Sequence, residues 1–350
     1  MPIAWDLSKS DFVEGPAPDT VNPALWRQAG FNAQHGLYEI CDGFYQVRGF
    51  DTSCVTFIRG ENGWVVIDPL TTTETARAAY DLVAEHLGER PVTAGVYTHS
   101  HVDHYGGVLG VVDLERVESG EVPIVAPEGF LREAVAENVV AGPAMSRRTT
   151  YQFGLLIPWN EHGHVDQGLG KGLPTGSSAL VPPTIEITET GQELVLDGVR
   201  IEFQLTPETE APAEMHFYFP DHRILCMAEN CTATMHNVLT LRGALVRDTL
   251  MWSRYIDEAL DRWGDRTDIV FASHGWPHWG TDAVRNYLTN QRDLYRWLHD
   301  QAMRLANLGF TPNEISARID LPPGLWNDWL CHGYYGTVSH NVRAVYQRYL

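Results

Sequence analysis

The sequence predicts an α/β fold in which two sheets stack against each other and helices flank them. Short β-branched apolar runs bounded by turn residues alternate with stretches of helical periodicity. This pattern occurs twice, before and after a long glycine-rich interval at 143–183, without a strict sequence repeat. In both halves residue types that ligate metals gather just after apolar strands, which puts a site along one edge of the layers.

The elements follow in order. Residues 1–36 are rich in Pro, Asn, Asp and Trp without clear periodicity, so an irregular arm over a globular body is expected. Short strands are expected at 38–41, 44–47, 53–59 and 63–68, punctuated by Asp42-Gly43, Gly60 and Asn62-Gly63. Residues 73–87 have helical spacing and a following Gly88. The next strand, 92–97, runs directly into THSHVDHYGG. A strand at 122–126 and a helix at 127–141 follow, the helix stopped by Gly142-Pro143. A connection as long as 143–183 without structure of its own is usually functional; it contains His162 and His164. Strands are expected again at 185–188, 193–196, 199–205, 215–220 and 224–228, then an amphipathic helix at 250–263 and a buried strand at 269–273 that ends on His274-Gly275. From residue 281 the pattern turns helical, at 283–308 and 312–319, as either a cap on the same core or the start of an interaction module.

Composition narrows the function. With 350 residues the chain can bury a sizeable core, and 44% apolar with 20% charged residues marks an ordinary globular protein. A formal net charge of −20 argues against nucleic-acid binding, which wants a basic stripe. It leaves room for a small anionic substrate, because bound metal ions reverse the local field. Cys41, Cys54, Cys226, Cys231 and Cys331 are scattered without CxxC pairing, so no disulfide framework and a reducing compartment are expected. No basic start leads into an apolar run, so no signal peptide is expected and the location is cytoplasmic, or periplasmic or secreted if the N-terminus is processed. No apolar run is long enough for a transmembrane segment.

The chemistry concentrates at His99, His101, Asp103 and His104. In an extended or turning segment residues two apart point the same way, so His99 and His101 can grip one ion while Asp103 and His104 face a second. Imidazole and carboxylate ligands at this spacing match zinc. Glu208, Glu210 and Glu214 lie in the loop 206–214, Glu229 and Asn230 follow the strand ILCMA, and Asp68 ends VVID either as a ligand-orienting group or as a turn residue.

HSHVDH matches HxHxDH, and the chain resembles the metallo-β-lactamase-fold hydrolases, whose fold is an αββα sandwich. Within them it resembles the type III alkyl sulfatases, over FDTSCVTFIRGENGWVVIDPLTT, THSHVDHYGG, TPETEAPAEMHFYFP, AENCTATMHNVLTLRGALVRD, ASHGWPHWG and GYYGTVSHNVRAVYQRYL. The resemblance implies two Zn2+ ions per chain, one on His99, His101 and Glu210 and one on Asp103, His104 and His274, with Glu229 bridging. Choosing Glu210 over Glu208 follows the family's spacing to Glu229. It further implies Asn237 and Arg242 as sulfate-binding residues, with His236 beside them, and Asp103, Glu229 and Arg242 as the catalytic groups. Arginine suits a sulfate ester as a fixed fork of donors.

The implied organisation is a catalytic domain over 1–280 and, over 281–350, the helical beginning of an alkyl-sulfatase dimerisation region that stops short of the family's longer members. A homodimer is expected if that region is complete. The implied activity is zinc-dependent hydrolysis of dodecyl-sulfate-like or secondary alkyl sulfate esters to alcohol and inorganic sulfate. The alkyl part needs an apolar wall, for which 151–159 and the loop behind it are available. Other hydrolases of the fold, acting on a lactam, lactone or thioester, usually carry histidine and aspartate where Glu210 and Glu229 fall. A non-catalytic metal-binding homologue would be marked by missing ligands. A di-iron redox branch places an acid where His101 stands.

Overall fold

The computed structural model describes residues 4–350. The first three residues of the expected N-terminal arm lie outside the described residues. One sheet contains β1 (Gly36–Cys41), β2 (Phe44–Arg48), β3 (Val55–Arg59), β4 (Trp64–Ile67), β5 (Val92–Val96), β6 (Ile124–Pro127) and β7 (Ile185–Ile187), side by side in chain order. Its first four strands form an antiparallel meander, and β4 to β7 run parallel. The other sheet has the order β13-β12-β11-β10-β9-β8, with β8 (Glu193–Leu196), β9 (Val199–Leu205), β10 (Met215–Phe219), β11 (Ile224–Cys226), β12 (Ile269–Phe271) and β13 (His278–Trp279). Only β11 and β12 pair in parallel there.

Parallel neighbours need crossovers, and all four of them contain helix. Among the ten helices of the described residues, α1 is Pro23–Asn32, α2 Thr73–Leu87, α3 Leu114–Glu118, α4 Phe130–Val135 and α5 Gly142–Gln152. The rest are α6 (Thr249–Trp263), α7 (Thr281–Asn307), α8 (Pro312–Ser316), α9 (Pro323–Trp326) and α10 (Val338–Tyr349). Helix α2 joins β4 to β5, and α6 lies between β11 and β12.

Strand periodicity sorts the side chains into layers. Phe44, Ile58, Val65, Ile67, Ala94 and Val96 of the first sheet meet Phe203, Met215, Phe217, Phe219 and Ile224 of the second in the central layer. The alternate residues of the first sheet, including Phe57, Trp64 and Val66, pack on Ala76, Ala79 and Val83 of α2 and Phe130 of α4. On the second sheet's outer face Tyr218, Leu225 and Val270 pack on Trp252 and Ile256 of α6, Leu288, Tyr295 and Leu298 of α7, and Val342 and Val345 of α10. The layering is helix, sheet, sheet, helix, as the sequence predicts. The helices beyond residue 281 share this outer core, and the Trp252 and Tyr295 rings stack at 4.2 Å.

Two local expectations are corrected. The arm over 1–36 is not wholly irregular. Asn22 caps Ala24 N–H and Pro23 stands in the first turn, so α1 forms and anchors Trp26 and Ala29 against Val165. The helix expected at 127–141 starts at Phe130 and ends at Val140, and a further helix begins at Gly142, inside the interval expected to lack structure. Helix α4 passes into a π-helical turn at Ala136–Val140, and α5 then begins at Gly142. Proline in a first helical turn forfeits no hydrogen bond, so the pair that reads as a stop works as a start.

Leu288 is fully buried at the α6–α7 contact. Leu288→Ala should lower stability by about 2–5 kcal/mol. In urea, tryptophan fluorescence and far-ultraviolet circular dichroism should lose signal in one coincident transition, since the C-terminal helices have no core of their own.

Candidate metal centre

The site lies where β4, β5, β11 and β12 end. Asp68 follows β4 in the left-handed region (φ 52°), and its carboxylate accepts Thr98 N–H at 2.8 Å and Thr98 Oγ1–H at 2.7 Å. That hydroxyl, having donated its hydrogen, accepts from His99 Nδ1 at 2.9 Å. His104 Nδ1 donates to Asp68 Oδ2 at 3.0 Å. His274, just past β12, donates from Nδ1 to the Thr52 carbonyl at 2.8 Å. Three imidazoles thus have their Nδ1 atoms engaged and turn Nε2 inward, an arrangement that fixes ring orientation and basicity.

The carboxylates come from the other half. Ala228 (φ 49°) turns the chain out of β11 and delivers Glu229, whose N–H donates to Glu214 Oε1 at 3.0 Å. Glu214 Oε2 accepts from Thr209 Oγ1 and Ala211 N–H, and this buried carboxylate shapes the loop that carries Glu210. Glu229 Oε2 lies 3.2 Å from Nε2 of each of His99, His104 and His274. Glu210 Oε2 is 2.9 Å from His101 Nδ1 and 3.3 Å from His99 Nε2. Asp103 Oδ2 is 3.2 Å from His104 Nε2 and 3.5 Å from His274 Nε2. The seven residues form two clusters that share Glu229: His99, His101, Glu210 and Glu229, and Asp103, His104, Glu229 and His274. Within each cluster one ligand atom per residue lies within 4.8 Å of all the others.

This donor set fits divalent cations. Among the described residues, Nε2 of His99, His104 and His274 is buried without a well-aligned hydrogen-bond partner. Such atoms are expensive to leave unmatched, and imidazole with carboxylate is the ligand chemistry zinc takes. In the protein alone, protons balance the acids. Burial opposes charge on Asp103 and Glu229, yet the surrounding imidazoles hold both carboxyls well below the usual range. Burial likewise opposes the imidazolium of His274, but Glu229 and Asp103 push it up to about 10, and Asp103 and Asp68 raise His104 well above its ordinary value. Cations take over from these protons when ligands are deprotonated on binding.

The remaining sequence candidates divide. Glu208 turns outward to Arg348 at 2.7 Å, whereas Glu210 is buried in the cluster. Arg242 shares a cavity of about 280 Å³ with His101 and Asp103, its Nη1 donating to Glu137 Oε2 at 2.9 Å. Asn237 is buried and lines a second, more apolar hollow of about 420 Å³ with Phe153, Ile157, Leu239 and Tyr335. The apolar stretch at 151–159 contributes Tyr151, Phe153 and Ile157 to that hollow. His162 is exposed, His164 lines the hollow, and neither belongs to a cluster.

Three residues went unnoticed or undervalued in the sequence. Arg247 is buried and donates from Nη1 to His236 Nδ1, Asn237 O and Asn237 Oδ1, each at 2.8 Å, and from Nη2 to Glu210 Oε1. It stands five residues after Arg242 in RGALVRD, and nothing in that string says which guanidinium turns inward. Glu137 sits in the π-helical turn, which redirects it toward His101 Nε2 at 3.7 Å and Arg242. His236 belongs to neither cluster, yet its Nε2 donates to Glu229 Oε1 at 2.9 Å.

Residues 48–274 match the model of the metallo-beta-lactamase superfamily, and residues 311–350 match that of alkyl sulfatase dimerisation. A linear primary-alkylsulfatase from a Pseudomonas species is 49% identical over 99% of this chain and 52% of its own length. An alkyl/aryl-sulfatase of Saccharomyces cerevisiae is 48% identical over 99% of this chain and 54% of its own. The solved structure of a stereoselective inverting sec-alkylsulfatase from a Pseudomonas species superposes with a TM-score of 0.97 at 47% identity, covering 99% of this chain and 55% of that one. The chain spans about half the length of the curated relatives it matches. No helix among the described residues is long and apolar enough to cross a membrane. Sheet order, site geometry and the match over 48–274 lead to one statement: the chain belongs to the metallo-beta-lactamase superfamily.

Proposed function

We propose that this chain carries the catalytic site of a zinc-dependent alkyl sulfatase, which hydrolyses alkyl sulfate esters to alcohol and inorganic sulfate. The observation that supports it most is the pair of clusters sharing Glu229 with Arg242, Asn237 and Arg247 grouped around them. His99, His101 and Glu210 would hold one zinc ion, Asp103, His104 and His274 a second, and Glu229 both. When bound, such a pair supplies Lewis-acid charge and a water acidified toward neutral pH.

This chain's own residues do the rest. Arg242 presents the guanidinium nitrogens not engaged by Glu137 to the sulfate oxygens. Asn237, its Oδ1 taken by Arg247, has its amide NH2 to donate. Arg247 neutralises Glu210 and occupies Nδ1 of His236, so the proton on that ring sits at Nε2 against Glu229, available to a departing oxygen. The alkyl tail lies in the apolar hollow between Phe153, Ile157 and Leu239, gaining about 0.8 kcal/mol per buried methylene. Partnering of two copies through the C-terminal helices and residence in a reducing compartment complete the reading. The alkyl sulfatase dimerisation match and five unpaired cysteines support them.

Sulfate release from dodecyl sulfate and from a secondary alkyl sulfate should require zinc, vanish with chelator and return on zinc addition. Turnover of a β-lactam or thioester with neither sulfate touched would overturn the proposal. Arg242→Ala should keep its zinc, measured by atomic emission, and lose about 10- to 100-fold in kcat/KM, the loss expected for charge-assisted hydrogen bonds of about 1.5–3 kcal/mol. Glu210→Gln should lose zinc and activity together, while Glu208→Gln keeps both, since Glu208 bonds Arg348 at the surface.

A further inference from the structure

A separate cavity of about 130 Å³ adjoins the metal centre. None of the seven cluster residues lines it, but Thr52, whose carbonyl pins His274, and Gly275 both do. Its walls carry two cations, Arg48 and Lys171. Lys171 is 1% exposed, and among the described residues the one hydrogen-bonding neighbour of its ammonium is His35 Nδ1 at 3.4 Å. Arg48 lays its guanidinium over the Tyr38 ring at 3.8 Å, and its buried Nε has no hydrogen-bond partner. Cationic groups taken from water without a counter-charge are costly, so this arrangement calls for an anion.

The nearby acids meet that need only in part: Asp11 and Asp166 act on Lys171 through space, and neither is hydrogen-bonded to its ammonium. Asp51 lines the same cavity, but its carboxylate already accepts from Thr52 N–H at 2.7 Å, Thr71 N–H at 2.9 Å, Thr71 Oγ1 at 2.8 Å and Thr75 Oγ1 at 3.1 Å. Asp166 Oδ1 is taken by Asn32 Nδ2 at 2.8 Å and Gly168 N–H at 2.6 Å. Burial also pushes both acids up, Asp51 to about 6 and Asp166 to about 7, which leaves Asp166 only partly charged near neutral pH.

We propose that the cavity between Arg48 and Lys171 binds one small tetrahedral oxyanion, sulfate or phosphate. Arg48 supplies a planar fork and Lys171 a point charge. The cavity is smaller than the 420 Å³ apolar hollow beside Asn237, and its two cations favour an anion over an alkyl chain. The proposal does not depend on the alkyl sulfatase reading. If sulfate is a product, it is one source of the ion; cellular phosphate is the other.

Crystals of the zinc-loaded protein soaked in selenate should show an anomalous selenium peak between Arg48 and Lys171. Calorimetric titrations with sulfate and with phosphate, each against chloride at equal ionic strength, should give saturable heat for at least one of them, and the tighter binder names the source. Arg48→Gln and Lys171→Gln should each weaken that binding at least tenfold with zinc content unchanged. A cavity without selenium at saturating selenate overturns the proposal even if the variants fail to fold, and so does sulfate and phosphate binding that both variants retain in full.

Discussion

The structure is organised by the need to keep Glu229 charged where it is almost fully buried. Its Oε2 faces three imidazole nitrogens at 3.2 Å and its Oε1 a fourth at 2.9 Å, on a residue only 3% exposed. A lone carboxylate there would be pushed toward neutrality by desolvation. The ring of histidines reverses that, and each histidine must then be stopped from turning away. The three that face Oε2 are held by a hydroxyl, a carboxylate and a peptide carbonyl, from Thr98, Asp68 and Thr52. Glu214, buried behind, fixes the backbone of Glu229 from the opposite side.

That demand reaches the backbone. Asp68, Glu208 and Ala228 have left-handed φ values of 52°, 64° and 49° and stand beside the residues that form the clusters. Side chains other than glycine adopt this region at a cost, and they persist where the surroundings over-determine them. Asp68 is held by three hydrogen bonds, and the segment after Ala228 by the bond from Glu229 to Glu214. The strain sits where two sheets must aim short loops at a common point.

Much of this was legible in the chain and some was not. The strand patterns announced a two-sheet sandwich because period-two alternation has one physical cause, burial on a face. HSHVDH announced two ligand directions because His99 and His101, two residues apart, share a side while Asp103 and His104 lie past the strand end. Glu210 against Glu208 was a choice between like residues two apart in a loop; in space Arg348 draws Glu208 outward and Arg247 holds Glu210 inward. Arg247 and Glu137 were hidden for a different reason. Their direction depends on a turn before α6 and on one π-helical turn, features of backbone path that side-chain types do not encode. Gly142-Pro143 misled because the same two residues end one kind of helix and begin another.

The bond from His274 to the Thr52 carbonyl joins residues 222 positions apart. A ribosome therefore releases HSHVDH long before Glu210, Glu229 and His274 exist, and the nascent first half can offer an ion only His99, His101, Asp103 and His104. Closing contacts of such separation is slow relative to local structure. The two clusters are consequently completed late in the life of the chain, once synthesis has passed residue 274 and the second sheet has docked.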